Sequence, residues 1–151
     1  FKDGAEAVNA FLAESQFADT SVQHTLSPSA SKDAGLGGRN TTSVKDCGEL
    51  LSRIYKGECV SKEASEAMLN LLLNQQVTTK IPSGISASVK IANKTGETDT
   101  DQHDIAIVYG EKTTYILCVM SENCKSGDAV SHIRDISGIV YNYLNMRLDQ
   151  D

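Results

Sequence analysis

The sequence has no tryptophan, only two prolines and three histidines, no long apolar run and no cluster of basic residues. A membrane-spanning helix needs roughly 18 consecutive apolar residues, so the sequence predicts no such span. Nucleic-acid binding needs a basic face and is helped by stacking aromatics, whereas this chain carries a formal charge of −6. Nucleic acid is therefore not an expected partner.

Cysteine is scarce as well. The four cysteines, Cys47, Cys59, Cys118 and Cys124, include no C-x-x-C pair and are too few to build a disulfide scaffold. The simplest interpretation is that they are small buried apolar side chains, with or without one disulfide. The three histidines show no paired ligand spacing. We therefore expect no metal ion and no cofactor.

The residues that are present suit one sizeable hydrophobic core, because the 151-residue chain is 40% apolar and 23% charged. Helical spacing of apolar residues predicts a first helix over residues 4–16. A second helix is predicted to begin at the N-cap Ser43 and to stop at Gly57, and a third to begin at Ser61. Residues 19–42 lack apolar periodicity and are predicted to form a long loop.

The periodicity then changes from helix to strand. Apolar and polar residues alternate over residues 85–91, which predicts a strand with one solvated face. Residues 104–109 and 113–120 are predicted to pair as a hairpin, and the nearly continuous apolar run of 113–120 predicts a central position in the sheet. Ser126 is predicted to cap a final helix. Its expected inward side chains are Ala129, Ile133, Ile136, Val140, Tyr143 and Leu144.

This order of elements predicts an α+β fold, a helical region followed by a three-stranded antiparallel sheet and a C-terminal helix, because helices precede strands instead of alternating with them. The two regions are predicted as residues 1–80, with the long loop at 19–42, and residues 81–151. A three-stranded sheet covered by one helix leaves its other face and at least one edge in need of a partner.

One tripeptide is a candidate functional motif. Lys94-Thr95-Gly96 lies where the alternating strand is predicted to end, twelve residues after Pro82. With its surroundings, the tripeptide resembles the penicillin-recognising serine hydrolases, specifically the class A β-lactamase family. The resemblance covers nearly the whole chain and implies the later half of the serine β-lactamase fold. Its other segments are Val8-Asn9-Ala10-Phe11-Leu12, Asn40-Thr41-Thr42 with Asp46, Gly57 to Ser61, and Pro82-Ser83-Gly84.

The resemblance implies a role for each residue around the tripeptide. Lys94 would be catalytic, placing a positive charge beside the substrate carboxylate and relaying protons at the active serine. Thr95, Gly96, Glu97 and Thr98 would bind substrate, with the Thr95 hydroxyl on the carboxylate and the Glu97 N–H in the oxyanion hole. Gly96 would let the substrate lie against the strand edge. The structural alternative is an exposed strand-end lysine followed by a turn glycine.

The family's nucleophile lies in a Ser-x-x-Lys motif, followed by a Ser-Asx-Asn loop, and both would lie upstream of Phe1. The chain has no initiator Met, so we expect either that a targeting segment has been removed or that this is the C-terminal portion of a longer enzyme. The first partner would then be the segment that carries these two motifs. The 151 residues alone are predicted to be inactive.

Two internal segments imitate the absent motifs. Ser29-Ala30-Ser31-Lys32 reads as Ser-x-x-Lys, but it lies in a polar stretch with no apolar periodicity to form a helix. Ser121-Glu122-Asn123 resembles Ser-Asx-Asn, but it follows the tripeptide and is interpreted as a loop exit. His103, beside Asp104, either lines a pocket or is solvated.

One departure from the family bears on turnover. The omega loop of class A enzymes holds a Glu before a Pro, and here Ser27 precedes Pro28. Serine is a poor general base near neutral pH, so the acyl-enzyme would hydrolyse slowly, unless the loop aligns differently.

The resemblance therefore leaves three hypotheses. The first is a β-lactamase-like serine hydrolase acting on β-lactams or D-Ala-D-Ala-type peptides, located outside the cytoplasm and linked to antibiotic resistance. The second is a non-hydrolysing penicillin-binding or sensor module. The third is a homo-oligomer in which copies of the chain exchange elements.

Overall fold

A computed structural model describes residues 2–24 and 38–145. The described elements follow the predicted order of helices, strands and a last helix: α1 (Lys2–Glu14), α2 (Val44–Lys56), α3 (Lys62–Leu73), a 3₁₀ turn (Ile81–Gly84), β1 (Lys90–Glu97), β2 (Gln102–Tyr109), β3 (Thr114–Ser121) and α4 (Ser126–Asn145). The α+β prediction is confirmed. No described helix is both long and apolar enough to cross a bilayer.

The chain divides into two compact units, residues 1–47 and 48–151. In the first unit, the side chain of Asn9 on α1 holds the backbone of Val22, accepting from its N–H at 2.8 Å and donating to its carbonyl at 2.9 Å. The Ser43 hydroxyl accepts from the Asp46 N–H at 3.1 Å, which confirms the predicted N-cap of α2. The predicted division at residue 80 is not tested by these contacts and stays a prediction.

The second unit is built on an antiparallel sheet of three strands in the order β1-β2-β3. The prediction that the strand at 113–120 is central was wrong, because β2 is central and β3 pairs only with β2 among the described strands. Most of β2 is buried, whereas β3 is half-buried along nearly its whole length. A continuous apolar run therefore marks a strand that meets apolar neighbours on both faces, not one in the middle.

Helices cover both faces of this sheet. On one face, α4 and the 3₁₀ turn pack over a core that includes Ala106 and Val108 of β2. On the other face, α2 and α3 supply Leu51, Leu69 and Leu72 against Ala92 and Ile107. The chain's own α2 and α3 therefore cover the face that was expected to need a partner.

The buried stripe of α4 differs from the predicted one. It runs through every fourth residue: Ala129, Ile133, Ser137, Tyr141 and Asn145. Ile136 and Tyr143, predicted to point inward, are 40% and 60% exposed. The reason is close packing against the 3₁₀ turn, where a Cβ on Gly84 would collide with the Arg134 carbonyl oxygen. The small residues Ser137 and Gly138 therefore lie at this crossing, between the buried Ile133 and Tyr141.

The first strand begins later than predicted. Residues 85–89 are not in a strand, and β1 starts at Lys90. The Ser86 and Ser88 hydroxyls are hydrogen-bonded at 3.0 Å, and the Val89 N–H donates to the Ser86 carbonyl at 3.0 Å. Serine side chains that bond locally compete with strand pairing, which explains why alternation alone misplaced the start of β1.

Candidate functional site

The tripeptide lies within β1, in its last four residues. The Thr98 N–H donates to the Asp101 carbonyl at 3.0 Å and closes the β1–β2 turn. Hydrogen-bonded pairs alternate along an antiparallel ladder, so the next such pairs are Gly96 with His103 and Lys94 with Ile105. The backbone N–H and carbonyl groups of Thr95 and Glu97 therefore point away from β2. No described strand pairs with this outer edge of β1.

The Lys94 ammonium lies at the same edge. Its side chain is exposed and its Nζ donates to the Thr95 carbonyl oxygen, which is one of the outward-pointing groups. We call Lys94, Thr95 and Glu97 the edge row. A positive charge and two outward N–H groups thus share one free strand edge, an arrangement suited to an anionic, extended ligand.

Gly96 is a strand residue, so the alternative that it is a turn glycine was wrong. Its φ is not among the positive values of the chain's glycines. A Cβ at this position would meet only the His103 side chain, at an ordinary contact distance of 3.5 Å. Neither backbone conformation nor packing among the described residues therefore requires glycine, and its missing side chain leaves open space above the strand.

Thr98, the last predicted binding residue, lies in the turn that follows β1. Its hydroxyl donates to the Asp101 carboxylate at 2.8 Å and accepts from the Asp101 N–H at 3.1 Å. This bonding, led by the Thr98 hydroxyl, lowers the pKa of Asp101. The Thr98 hydroxyl thus stabilises the turn, and its role in binding substrate stays a prediction.

A group of buried polar residues behind the edge row was not found from the sequence. We call Lys80, Asn93 and Asp104 the buried network. Asp104 is 0% exposed, and its carboxylate accepts from the Ile81 N–H at 2.9 Å and from Asn93 Nδ2 at 3.1 Å. Burial raises the pKa of Asp104 from 3.8 to about 6, against the opposing effects of these hydrogen bonds and of the Lys80 charge.

Lys80 is only 1% exposed. Its Nζ donates to the Gly96 carbonyl at 3.3 Å, to the His103 carbonyl at 3.2 Å and to Glu97 Oε2 at 3.3 Å. The sequence held one signal for this network, since Asp104 shares a strand face with the buried Ala106 and Val108. It held none for Lys80, which directly precedes Ile81 and Pro82 in a segment without periodicity.

Other predicted residues are placed as follows. Ser121 ends β3 and its hydroxyl donates to the Gln102 carbonyl at 2.8 Å, which confirms that Ser121-Glu122-Asn123 is a loop exit. His103 is half-buried, and its Nδ1 is buried with no partner among the described atoms. Ser27, Pro28 and the segment Ser29–Lys32 lie outside the described residues.

The predictions for the cysteines, a metal ion and the cap of α4 have the following outcomes. All four cysteines are described and no disulfide joins them. Within residues 2–24 and 38–145, no group of three or more His, Cys, Asp or Glu side chains could hold a metal ion. Ser126 is the first residue of α4 instead of its cap, and its hydroxyl accepts from Gln102 Nε2 at 3.0 Å.

A cleft of about 570 Å³ lies beside the first half of β1. Its lining ends on β1 at Asn93, one residue before the edge row, and mixes apolar residues such as Leu73 and Ile91 with polar ones such as Gln75 and Lys90. The cleft thus lies next to the edge row along β1.

Comparison with known proteins places the chain in a family. The family described as "Beta-lactamase enzyme family" matches residues 3–144. The chain belongs to the Beta-lactamase enzyme family. No curated protein sequence matches the chain.

Solved structures share the fold of this Beta-lactamase family member. PBP-A is 23% identical, with a TM-score of 0.77, and the match covers 92% of this chain and 51% of PBP-A. A β-lactamase from Sphaerobacter thermophilus DSM 20745 is 21% identical (TM-score 0.79; 93% and 54% covered). TLA-1 extended-spectrum β-lactamase is 22% identical (TM-score 0.80; 93% and 54% covered). The chain thus spans about half the length of these structures.

Proposed function

We propose that this chain supplies the substrate-binding strand of a serine acyl transferase that reacts with β-lactams or D-Ala-D-Ala-type peptides, the nucleophilic serine coming from polypeptide outside these 151 residues. One observation carries the proposal: the outward N–H groups of Thr95 and Glu97 share the free edge of β1 with the Lys94 ammonium. The apolar, half-buried β3 supports it, because no described strand pairs with its outer edge and a further strand could add there.

The chemistry assigns one task to each residue of the edge row. The substrate's amide segment lies along β1 as an added strand, and the Lys94 ammonium and Thr95 hydroxyl hold its carboxylate. The serine oxygen attacks the carbonyl carbon, the C–N bond breaks, and the serine proton passes to the leaving nitrogen. The Glu97 N–H and the N–H of the nucleophile stabilise the oxyanion, and losing one such donor costs about 10²–10³ in rate.

The substrate class follows from the family and from the edge. A PBP-A variant has been solved as an acyl-enzyme complex with penicillin G. The cleft beyond Asn93 offers room for the apolar part of an extended peptide as well as for a compact β-lactam. Because such substrates are cell-wall peptides or antibiotics, we place the protein outside the cytoplasm.

A second candidate function is a penicillin-binding module that is acylated but turns over poorly. The observation that favours it is Ser27 before Pro28, where the family places a glutamate. A serine hydroxyl does not activate water as a carboxylate does near neutral pH. Acylation would then proceed while hydrolysis of the acyl-enzyme is slow.

Labelling with a fluorescent penicillin tests acylation. We expect covalent labelling of the full-length protein, at least tenfold slower labelling of Lys94→Met, and unchanged labelling of the control Lys125→Met, whose exposed side chain lies outside β1 and the cleft. The 151-residue chain alone is expected to remain unlabelled. Absence of labelling in the full-length protein would contradict the proposal.

Turnover of a chromogenic cephalosporin separates the two functions. Rapid turnover supports the hydrolase, and labelling without turnover supports the penicillin-binding module. The mass of the 151-residue chain in solution tests the remaining hypothesis, an inactive exchange of elements between copies of this chain, which requires a dimer or larger species that depends on concentration.

A further inference from the structure

We propose that Lys80 is a positioning residue that strengthens the Glu97 N–H as a hydrogen-bond donor by binding the other end of the same peptide group. The inference rests on the proposed function, because it gives that N–H its use in the oxyanion hole. Lys80 itself lies behind the strand, and it contacts the edge row through the Glu97 carboxylate, at 3.3 Å.

The Lys80 ammonium binds both carbonyls of one residue pair in the β1–β2 ladder. Lys80 Nζ donates to the carbonyls of Gly96 and His103, at 3.3 and 3.2 Å, and these two residues face each other across β1 and β2. Each carbonyl already belongs to a hydrogen-bonded pair of the ladder. The ammonium therefore occupies the second lone pair of both oxygens at the pair next to Glu97.

The Gly96 carbonyl and the Glu97 N–H belong to one peptide group. In a trans peptide the two point in opposite directions, so the carbonyl faces Lys80 and β2 while the N–H faces the free edge. A peptide whose carbonyl accepts a charge-assisted hydrogen bond becomes a stronger donor at its nitrogen, because hydrogen bonds in a chain polarise one another. Burial of Lys80 increases this effect by excluding water from the ammonium.

A role in packing alone explains the buried Lys80 side chain less well. Burying an ammonium is unfavourable unless its partners compensate, and apolar residues of similar volume often replace buried charges without loss of stability. Glu97 Oε2 at 3.3 Å compensates in part, on a side chain that is 64% exposed, and the charge of the buried Asp104 adds to this compensation. The specific use of this charge lies in the two carbonyls that it binds.

Amide NMR of the full-length protein tests the polarisation without any substrate. In Lys80→Met we expect the Glu97 amide proton to move upfield and its base-catalysed hydrogen exchange to slow. The Thr95 amide is an internal control, since it points to the same edge but its peptide carbonyl belongs to Lys94. Lys125→Met, which removes an exposed lysine, should move neither amide. Equal shifts of both amides, or no shift at Glu97, would overturn the proposal; Lys80→Gln replaces Lys80→Met if the latter does not fold.

Acylation kinetics test the consequence. In Lys80→Met the acylation rate constant should fall about three- to tenfold, less than the loss of a whole donor, while the dissociation constant of the non-covalent penicillin complex is unchanged. The carbonyl stretch of the acyl-enzyme should move to higher frequency, which lost packing alone would not produce. Unlabelled wild-type protein with a shifted Glu97 amide would contradict only the proposed function, whereas a labelled variant with wild-type rate and frequency would contradict the role of Lys80.

Discussion

The two sides of the end of β1 carry similar residues in opposite settings. The edge row is polar, accessible to solvent and without a described partner strand. The network behind it is buried and hydrogen-bonded. Lys94 and Lys80 show the contrast most directly, since one ammonium lies at the free edge and the other is 1% exposed. A strand edge that must hold a ligand with fixed N–H groups needs rigid support behind it. Under the proposed function, the edge row therefore carries the chemistry and the buried network supports it.

Breaking the buried network should have the largest effect on stability. Asp104→Ala should lower the free energy of unfolding by about 3–5 kcal/mol, because the Ile81 N–H loses its acceptor and Lys80 loses a buried countercharge. Urea unfolding of the full-length protein measures this change. The control Asp99→Ala, at an exposed carboxylate, should stay within about 0.5 kcal/mol. A loss below about 1 kcal/mol for Asp104→Ala would remove the contrast between the two sides.

The pH dependence of the same carboxyl group sharpens the comparison. Because the pKa of Asp104 is raised from 3.8 to about 6 in the folded protein, folding takes up a proton between these values. Its contribution to the free energy of unfolding is therefore fully present below about pH 4. This contribution falls by at most about 3 kcal/mol as the pH rises to about 6, and it is constant above that pH.

Unfolding measured across this pH range in wild type and Asp104→Asn isolates that contribution. The stability of wild type relative to Asp104→Asn should decline between about pH 4 and 6, because only the wild-type side chain titrates. A relative stability that rises with pH in this window would show that the folded-state pKa of Asp104 is lowered instead.

Changing the edge row should have the smallest effect on stability. Lys94→Ala removes an exposed ammonium, so the free energy of unfolding should change by less than about 0.5 kcal/mol. The same variant should lose most of its penicillin labelling in the full-length protein. Thermal unfolding and labelling measured on one preparation test both statements, and a large fall in stability would mean that Lys94 supports the fold.

Much of the site could be predicted because its signals are local. Lys94-Thr95-Gly96 is contiguous, and its place on a strand was implied by the resemblance, since alternation predicted a strand over residues 85–91 only, whereas β1 spans Lys90–Glu97. The predicted start of β1 was wrong because Ser86 and Ser88 bond to each other. The predicted central strand was wrong because the apolar β3 lies at the side of the sheet. Local patterns report which residues are apolar, but not which neighbour covers them.

The sequence by itself determined the α+β order, the N-caps of α2 and α3, and the row of polar residues on β1, because each depends on residues a few positions apart. Only the tertiary structure decided which face of α4 is buried and that Lys80, Asn93 and Asp104 meet behind that row. Gly84 and Ser137 are distant in sequence, and so are Lys80 and His103. Their contacts arise from the crossing of separate elements, where close approach and exclusion of water, rather than local periodicity, decide which side chains are buried.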